Sequence, residues 1–203
     1  VPRIDALPRA KTPLLQLPDN CRVPLLSQFD GGASGCDLRM AWNPAGLAIA
    51  VAVTGKSKAP ICHADDPDRS DSVRLWLDTR DTRTIHRASR FCHHFVLMPT
   101  GGGGGGDPCA VQLPVARAAE DAPEIDVDDL LLEATATKSG WSVSAWFPAA
   151  TLHGYDPLGV GRLGFSLHVR DLQLGHMYYS VGEDFPISAD PSLWASLVLT
   201  AED

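Results

Sequence analysis

A chain of 203 residues, 44% apolar and 21% charged, is long enough to bury a full core without metals or disulfides, and its composition excludes disorder as the main state. No stretch approaches about 18 uninterrupted apolar residues, which excludes a helical membrane span. The formal net charge of −8, from 17 basic and 25 acidic side chains, has the wrong sign for a general coat on nucleic acid.

The chain opens with Pro2, Pro8, Pro13 and Pro18. Proline lacks a backbone donor, so this spacing predicts an extended, Pro-rich N-terminal arm over residues 1–22, lying on a domain that occupies residues 23–203. The arm carries Arg3, Arg9 and Lys11 and no apolar segment, so it does not read as a signal peptide. The first residue is Val and not Met, which is compatible with removal of an upstream signal, and no compartment follows. Cys21, Cys36, Cys62, Cys92 and Cys109 include no Cys-x-x-Cys pair, so a zinc ribbon or redox motif is unsupported. Buried thiols are expected, with a single Cys21–Cys36 disulfide as the alternative.

From residue 23 the apolar pattern has period two, the signature of strands, because successive side chains leave a strand on opposite faces. Residues 38–42 and 47–54 flank the turn signal Asn43-Pro44-Ala45-Gly46 and predict a hairpin. Residues 56–70 are polar and hold Pro60 and Pro67, the mark of a long loop. Strands are predicted over 72–79 and 90–98, with an Arg-rich loop between them. The run Gly101 to Gly106 contains the letters of a dinucleotide fingerprint, but no helix and no Lys-Ser/Thr follow, so it reads as a flexible hairpin tip or loop. Residues 130–137 and 141–147 predict a second hairpin, and 163–171, 177–181 and 192–200 further strands. About nine strands with almost no helix predict an all-β fold: an antiparallel two-sheet β-sandwich of jelly-roll type.

Four blocks carry a resemblance. They are Leu38-Arg39-Met40-Ala41-Trp42 with Gly46 to Val53, Ser70 to Arg80, Gly140 to Pro148 with Leu152, and Gly161 to Leu167 with Asp171 and Trp194. In that order they resemble the family 9 carbohydrate-binding modules and, more distantly, heme-binding sandwich domains. The resemblance covers most of residues 30–200 and implies a two-sheet sandwich. It also implies a carbohydrate ligand, held between two Trp side chains in typical sugar-binding members, which often carry structural calcium. Residues 82–106 depart from the pattern of the sugar binders.

The alternation sorts side chains by face. Opposite the apolar sets lie Arg74, Trp76 and Asp78 on one strand, Ser142, Ser144 and Trp146 on another, and Ser166, His168 and Arg170 on a third. Were these strands to share a sheet, Trp76 and Trp146 would stack on a sugar while Arg74, Asp78, His168 and Arg170 hydrogen-bonded its hydroxyls. The alanines at 48, 50 and 52 would leave room for it. The competing expectation is that loops cover this face and the Trp residues are ordinary packing. Arg80, Arg83, Arg87 and Arg90 reverse the local sign of charge and suit an anionic glycan or an acidic partner, unless nearby aspartates neutralise them.

Asp65, Asp66, Asp68 and Asp71 offer hard oxygen donors that suit calcium, although their spacing is not that of an EF-hand and a solvated loop is the alternative. No cofactor is otherwise demanded. Cys92 and His94 share a strand face that His168 could approach, a weak transition-metal pattern, whereas His93 should pack inward. No hydrolase, kinase or metalloprotease motif is present. The expectation is therefore a non-catalytic carbohydrate-binding domain, for a neutral or anionic glycan. The alternatives are a structural domain docking a larger protein through its Arg-rich loop, or a heme-binding relative.

Overall fold

The computed structural model describes residues 1–25, 35–182 and 184–201. Two antiparallel sheets pack face to face. One has the order β1 (Arg22–Val23), β2 (Cys36–Asn43), β3 (Gly46–Thr54), β8 (Gly140–Pro148) and β7 (Leu131–Ala136). The other runs β10 (Gly175–Tyr178), β9 (Arg162–Asp171), β4 (Ser72–Asp78), β5 (Cys92–Gly102) and β6 (Asp107–Leu113), with β11 (Ala195–Val198) also paired to β9. The one α-helix among the described residues is the single turn α1 (Pro157–Val160), so no helix is long and apolar enough to cross a membrane. The fold is the predicted all-β sandwich.

Strict alternation builds the core. Leu38, Met40 and Trp42 of β2, Leu47 to Val53 at every second position of β3, and Trp141, Val143, Ala145 and Phe147 of β8 face inward from one sheet. Val73, Leu75 and Leu77 of β4, Phe95 and Leu97 of β5, and Phe165, Leu167 and Val169 of β9 meet them from the other. Phe95 and Phe147 touch across the interface, ring centroids 5.1 Å apart.

Each sheet has a second, smaller apolar layer on its outer face. On the five-stranded sheet, Ala41, Ala48 and Trp146 are direct register partners across three strands. The two alanines leave a trough that the Trp146 indole covers, and Leu7, Leu15, Leu17 and Cys21 of the N-terminal arm close over it. The arm is fixed by backbone bonds from Ile4 N to the Trp42 carbonyl and from Trp42 N to the Pro2 carbonyl, at 2.9 and 3.1 Å. The Asn43 side chain adds bonds to the carbonyls of Ile4 and Leu7, at 3.0 and 2.9 Å. The small residues thus receive a tryptophan and an arm, not a ligand.

The strand β6 was not expected, because Pro108 argues against a central strand; β6 is an edge strand, where a missing donor costs little. The glycine run is the tip of the β5–β6 hairpin, with Gly101, Gly103 and Gly105 at φ of 106°, 52° and 95°. None of the five cysteines forms a disulfide.

A buried charge cluster joins the sheets at one end. Lys56 Nζ lies 2.7 and 2.6 Å from the two carboxylate oxygens of Asp171 and 3.5 Å from Asp71. The Trp141 indole N–H donates to Asp171 at 2.8 Å, so a β8 side chain from one sheet bonds a β9 side chain from the other. Burial alone would raise the Asp171 carboxyl, but Lys56, Trp141 and the backbone N–H groups of Leu174 and Gln173 together hold it below its ordinary value.

Candidate functional site

The outer face of the six-stranded sheet can be read row by row. Ser166, Trp76 and His94 are register partners across β9, β4 and β5. The next row is Tyr178, His168, Arg74 and Val96, and the next pairs His176 with Arg170 and Arg170 with Ser72. These side chains are neighbours because the apolar residue between each pair along a strand is committed to the core. Trp76 stacks on His94 with centroids 4.6 Å apart, and His168 stacks on Tyr178 at 4.4 Å. His168 Nε2 lies 3.0 Å from His176 Nδ1, which is also 3.2 Å from the Tyr178 hydroxyl.

Polar atoms accumulate here without protein partners. Trp76 Nε1, His94 Nε2, Ser166 Oγ, Arg170 Nε and Ser180 Oγ are all buried and hydrogen-bond nothing among the described residues. Buried polar groups are nearly always partnered, so the four of Trp76, His94, Ser166 and Arg170, which share this face, mark it out. Burial pushes the His94 imidazole down to about 4, the Pro114 carbonyl raising it and Arg74 lowering it in lesser measure. His94 is therefore neutral near pH 7. Its Nδ1 faces the Pro114 carbonyl, which can only accept, so Nε2 is left as an acceptor. The face thus offers donors at Trp76 and Arg170, an acceptor at His94, and hydroxyls that do either.

One end of this face is closed. Ala88, Cys92, Val115, Ile187 and Trp194 pack over Trp76, and the Trp194 N–H is fixed to the Ile187 carbonyl at 2.7 Å. The other end remains reachable: Arg74, Arg170 and Tyr178 are half-buried and His176 is exposed. A cavity of about 230 Å³ lies beside the closed end, lined by Cys92, Leu113, Pro114, Asp121 and Glu124 among others. It is smaller than the ~300–1,000 Å³ usual for small-molecule sites.

The residues singled out from the sequence separate into groups. Arg74, Trp76, His168 and Arg170 share this face. Trp146 does not, since β8 belongs to the other sheet, so no two-Trp clamp forms from Trp76 and Trp146. Both indoles are only 3% exposed, each beneath its own cover. Asp78 is spent on its own turn, its two oxygens accepting from Arg80 N at 2.9 Å and Thr82 N at 2.6 Å. Arg74 is answered by Asp68 at 2.6 Å.

The arginine run does not converge. Arg80 and Arg90 lie against the Phe91 ring, 5.0 and 5.4 Å from its centroid. Arg83 donates to Ser196, and Arg87 donates to the carbonyls of Arg117 and Ala118. They fasten one loop to three different neighbours. The aspartates diverge likewise: Asp71 joins Lys56, Asp68 holds Arg74, and Asp65 and Asp66 sit in the turn before β4. Among the described residues no three His, Cys, Asp or Glu side chains are grouped to hold a metal ion.

Cys92 does share a face with His94, but burial pushes its thiol up to about 11, away from the thiolate that binds metal. His93 packs inward on Phe95, with centroids 5.9 Å apart, as its place in the alternation predicted. Ser192, His86 and Asp190 come together, but Ser192 and Asp190 contact the same nitrogen, Nδ1, at 3.2 and 3.1 Å. A nucleophilic triad needs them on opposite nitrogens. Tyr178 and His176 were missed in the sequence, where the expected strand began only at Met177. Once Met177 is placed inward, alternation puts both on the face.

No family model matches the chain, and no curated protein matches it. Solved structures do. A family 9 carbohydrate-binding module from Caldicellulosiruptor kristjanssonii, in complex with cellotriose, superposes with a TM-score of 0.61 at 16% identity, covering 83% of this chain and 76% of that one. Its complex with glucose gives 0.61 at 14% identity, with 83% and 78% covered. At such identities the likeness is one of fold, and the fold is that of the family 9 sandwich.

Proposed function

We propose that this chain is a non-catalytic carbohydrate-binding domain that receives a glycan at the reachable end of the outer face of its six-stranded sheet. The observation that carries the reading is the set of buried polar atoms without hydrogen-bond partners among the described residues, beside the His168–Tyr178 stack. A sugar supplies what such a surface needs: hydroxyls that donate and accept at close spacing, and a C–H face to lie on an aromatic ring. Tyr178 is the ring. Arg170 is the hydrogen-bonding partner, with Arg74 and His168 at the border. Trp76 and His94 form the floor. The bound sugars of the two fold neighbours agree with this choice of ligand class.

The charge distribution favours a neutral sugar, or one with a single carboxylate, over a densely sulfated chain. Arg74 already has Asp68, and Arg80, Arg83, Arg87 and Arg90 are dispersed. On this face, among the described residues, Arg170 is placed to meet an acidic substituent.

The test is a glycan array on the intact chain, followed by titration of the best ligand against Tyr178→Ala and Arg170→Gln. Loss of a stacking ring should weaken binding at least about tenfold. Unchanged affinity in Tyr178→Ala overturns the placement of the site. A blank array on folded protein overturns the ligand class and favours a protein-docking role.

A further inference from the structure

Cys62 and Cys109 lie far apart in the chain, yet both stand against Gly101 near the tip of the β5–β6 hairpin. A β-carbon added at Gly101 would meet the Cys109 sulfur at 3.5 Å and the Cys62 β-carbon at 3.5 Å. These contacts hold the Cys109 sulfur within about 7 Å of the Cys62 β-carbon, a gap that a disulfide can close with local backbone movement. Both thiols also meet Thr100. The Cys109 thiol lies 3.5 Å from the Thr100 carbonyl, and hydrogen bonds from Thr100 oppose the burial that raises the Cys62 thiol. Burial raises the Cys109 thiol too, and the charge of a Cys62 thiolate raises it further.

The two cysteines are held differently. Ile61 N–H donates to the Asp71 carboxylate at 2.7 Å, and Asp71 N–H donates back to the Ile61 carbonyl at 2.8 Å. The Cys62 thiol adds a contact to the Asp71 carbonyl at 3.3 Å. Asp71 belongs to the buried Lys56 cluster, so Cys62 sits on an anchored loop. Cys109 instead stands on the edge strand β6, where the pairing with β5 shifts register between Met98 and Gly102. Beyond it, a β-carbon at Gly104, Gly105 or Gly106 would meet nothing within 4 Å. The glycine tip is therefore the part that can move to bring the sulfurs together.

We infer that Cys62 and Cys109 form a reversible dithiol–disulfide site, oxidised by a low-molecular-weight disulfide. One protein thiolate attacks a sulfur of the reagent, forming a mixed disulfide and expelling one reagent thiolate. The second protein thiolate attacks the mixed disulfide, forming the Cys62–Cys109 bond and expelling the other reagent thiolate. Two electrons pass from the cysteine pair to the reagent, and the two thiol protons end on the expelled thiolates. The bridge fastens the glycine tip to the anchored loop. Cys21, Cys36 and Cys92 are buried and take no part. This inference does not depend on the carbohydrate reading.

The test is incubation of the reduced, folded chain with oxidised glutathione at mildly alkaline pH, then acid quench, intact mass and peptide mapping without reduction. Wild type should lose about 2 Da and give a linked Cys62–Cys109 peptide pair, reversed by dithiothreitol. Cys62→Ser and Cys109→Ser, both at half-exposed positions, should each stop at one glutathione adduct on the remaining member of the pair. Two stable glutathione adducts on wild type overturn the inference. So does a bridge between any other pair, a disulfide-linked dimer, or no reaction at either thiol of the folded chain.

Discussion

Lys56 and Asp171 form an ion pair with side chains 1% and 0% exposed, linking the loop after β3 to the end of β9. Removing one member of a buried pair leaves an uncompensated charge. Lys56→Met should therefore destabilise the fold by about 3–5 kcal/mol. Asp171 would stay in contact with Trp141 and the 173–174 backbone, so the loss should fall when Asp171→Asn is added. Urea unfolding of the single and double variants checks this. Equal destabilisation in both would show that the charge itself is not the source.

Acid should destabilise the protein over two pH windows. Burial pushes His93 and His94 down to about 4 from an ordinary 6.5. The unfolded chain thus takes up protons on these two residues before the folded chain can. Their contribution is complete above about pH 6.5 and is lost as pH falls toward about 4, at roughly 1.4 kcal/mol per pH unit for each residue. Asp171, held low, adds a second loss below the ordinary carboxylate range. Urea midpoints measured across this range should fall steadily, and the slope should lessen in His93→Phe. A flat profile would contradict the assignment.

Trp146 should matter to the arm and not to the ligand. Trp146→Ala empties the space between Ala48 and Leu7, Leu15 and Leu17, and should cost about 3–5 kcal/mol. Amide exchange over residues 3–17 should quicken, while glycan affinity per folded molecule stays at the wild-type value. Weaker glycan binding in this variant would return the five-stranded sheet to consideration.

Thiol reactivity should divide the cysteines. Burial pushes Cys36 up to about 12 and Cys92 up to about 11, and Cys21 is buried. Cys62 and Cys109 are half-exposed, both beside Gly101. A thiol reagent should label Cys62 and Cys109 in the native protein and the other three only on unfolding, as peptide mapping would reveal.

Which side chains share a strand face was legible in the sequence, because alternation is local. The outward sets Arg74, Trp76, Asp78 and Ser166, His168, Arg170 stand as read. Which strands share a sheet was not legible. β4 and β8 carry similar patterns, and only the register of β9 against β4 and of β3 against β8 parts them. Trp76 and Trp146 therefore looked like one site and belong to two. The arginine run misled for a related reason: charge is counted along the chain, whereas Arg80, Arg83 and Arg87 point to different neighbours. Lys56 gave no signal at all, since its carboxylate partners Asp71 and Asp171 lie 15 and 115 residues away.

The most direct test of the carbohydrate reading is to follow the tryptophan indole N–H resonances by nuclear magnetic resonance while adding the best glycan, with Trp76 and Trp146 assigned from single variants. The Trp76 signal should shift with saturation, because its row borders the proposed site and its Nε1 has no hydrogen-bond partner among the described residues, and the Trp146 signal should stay in place. A shift at Trp146 with none at Trp76 would contradict the placement of the ligand on the six-stranded sheet.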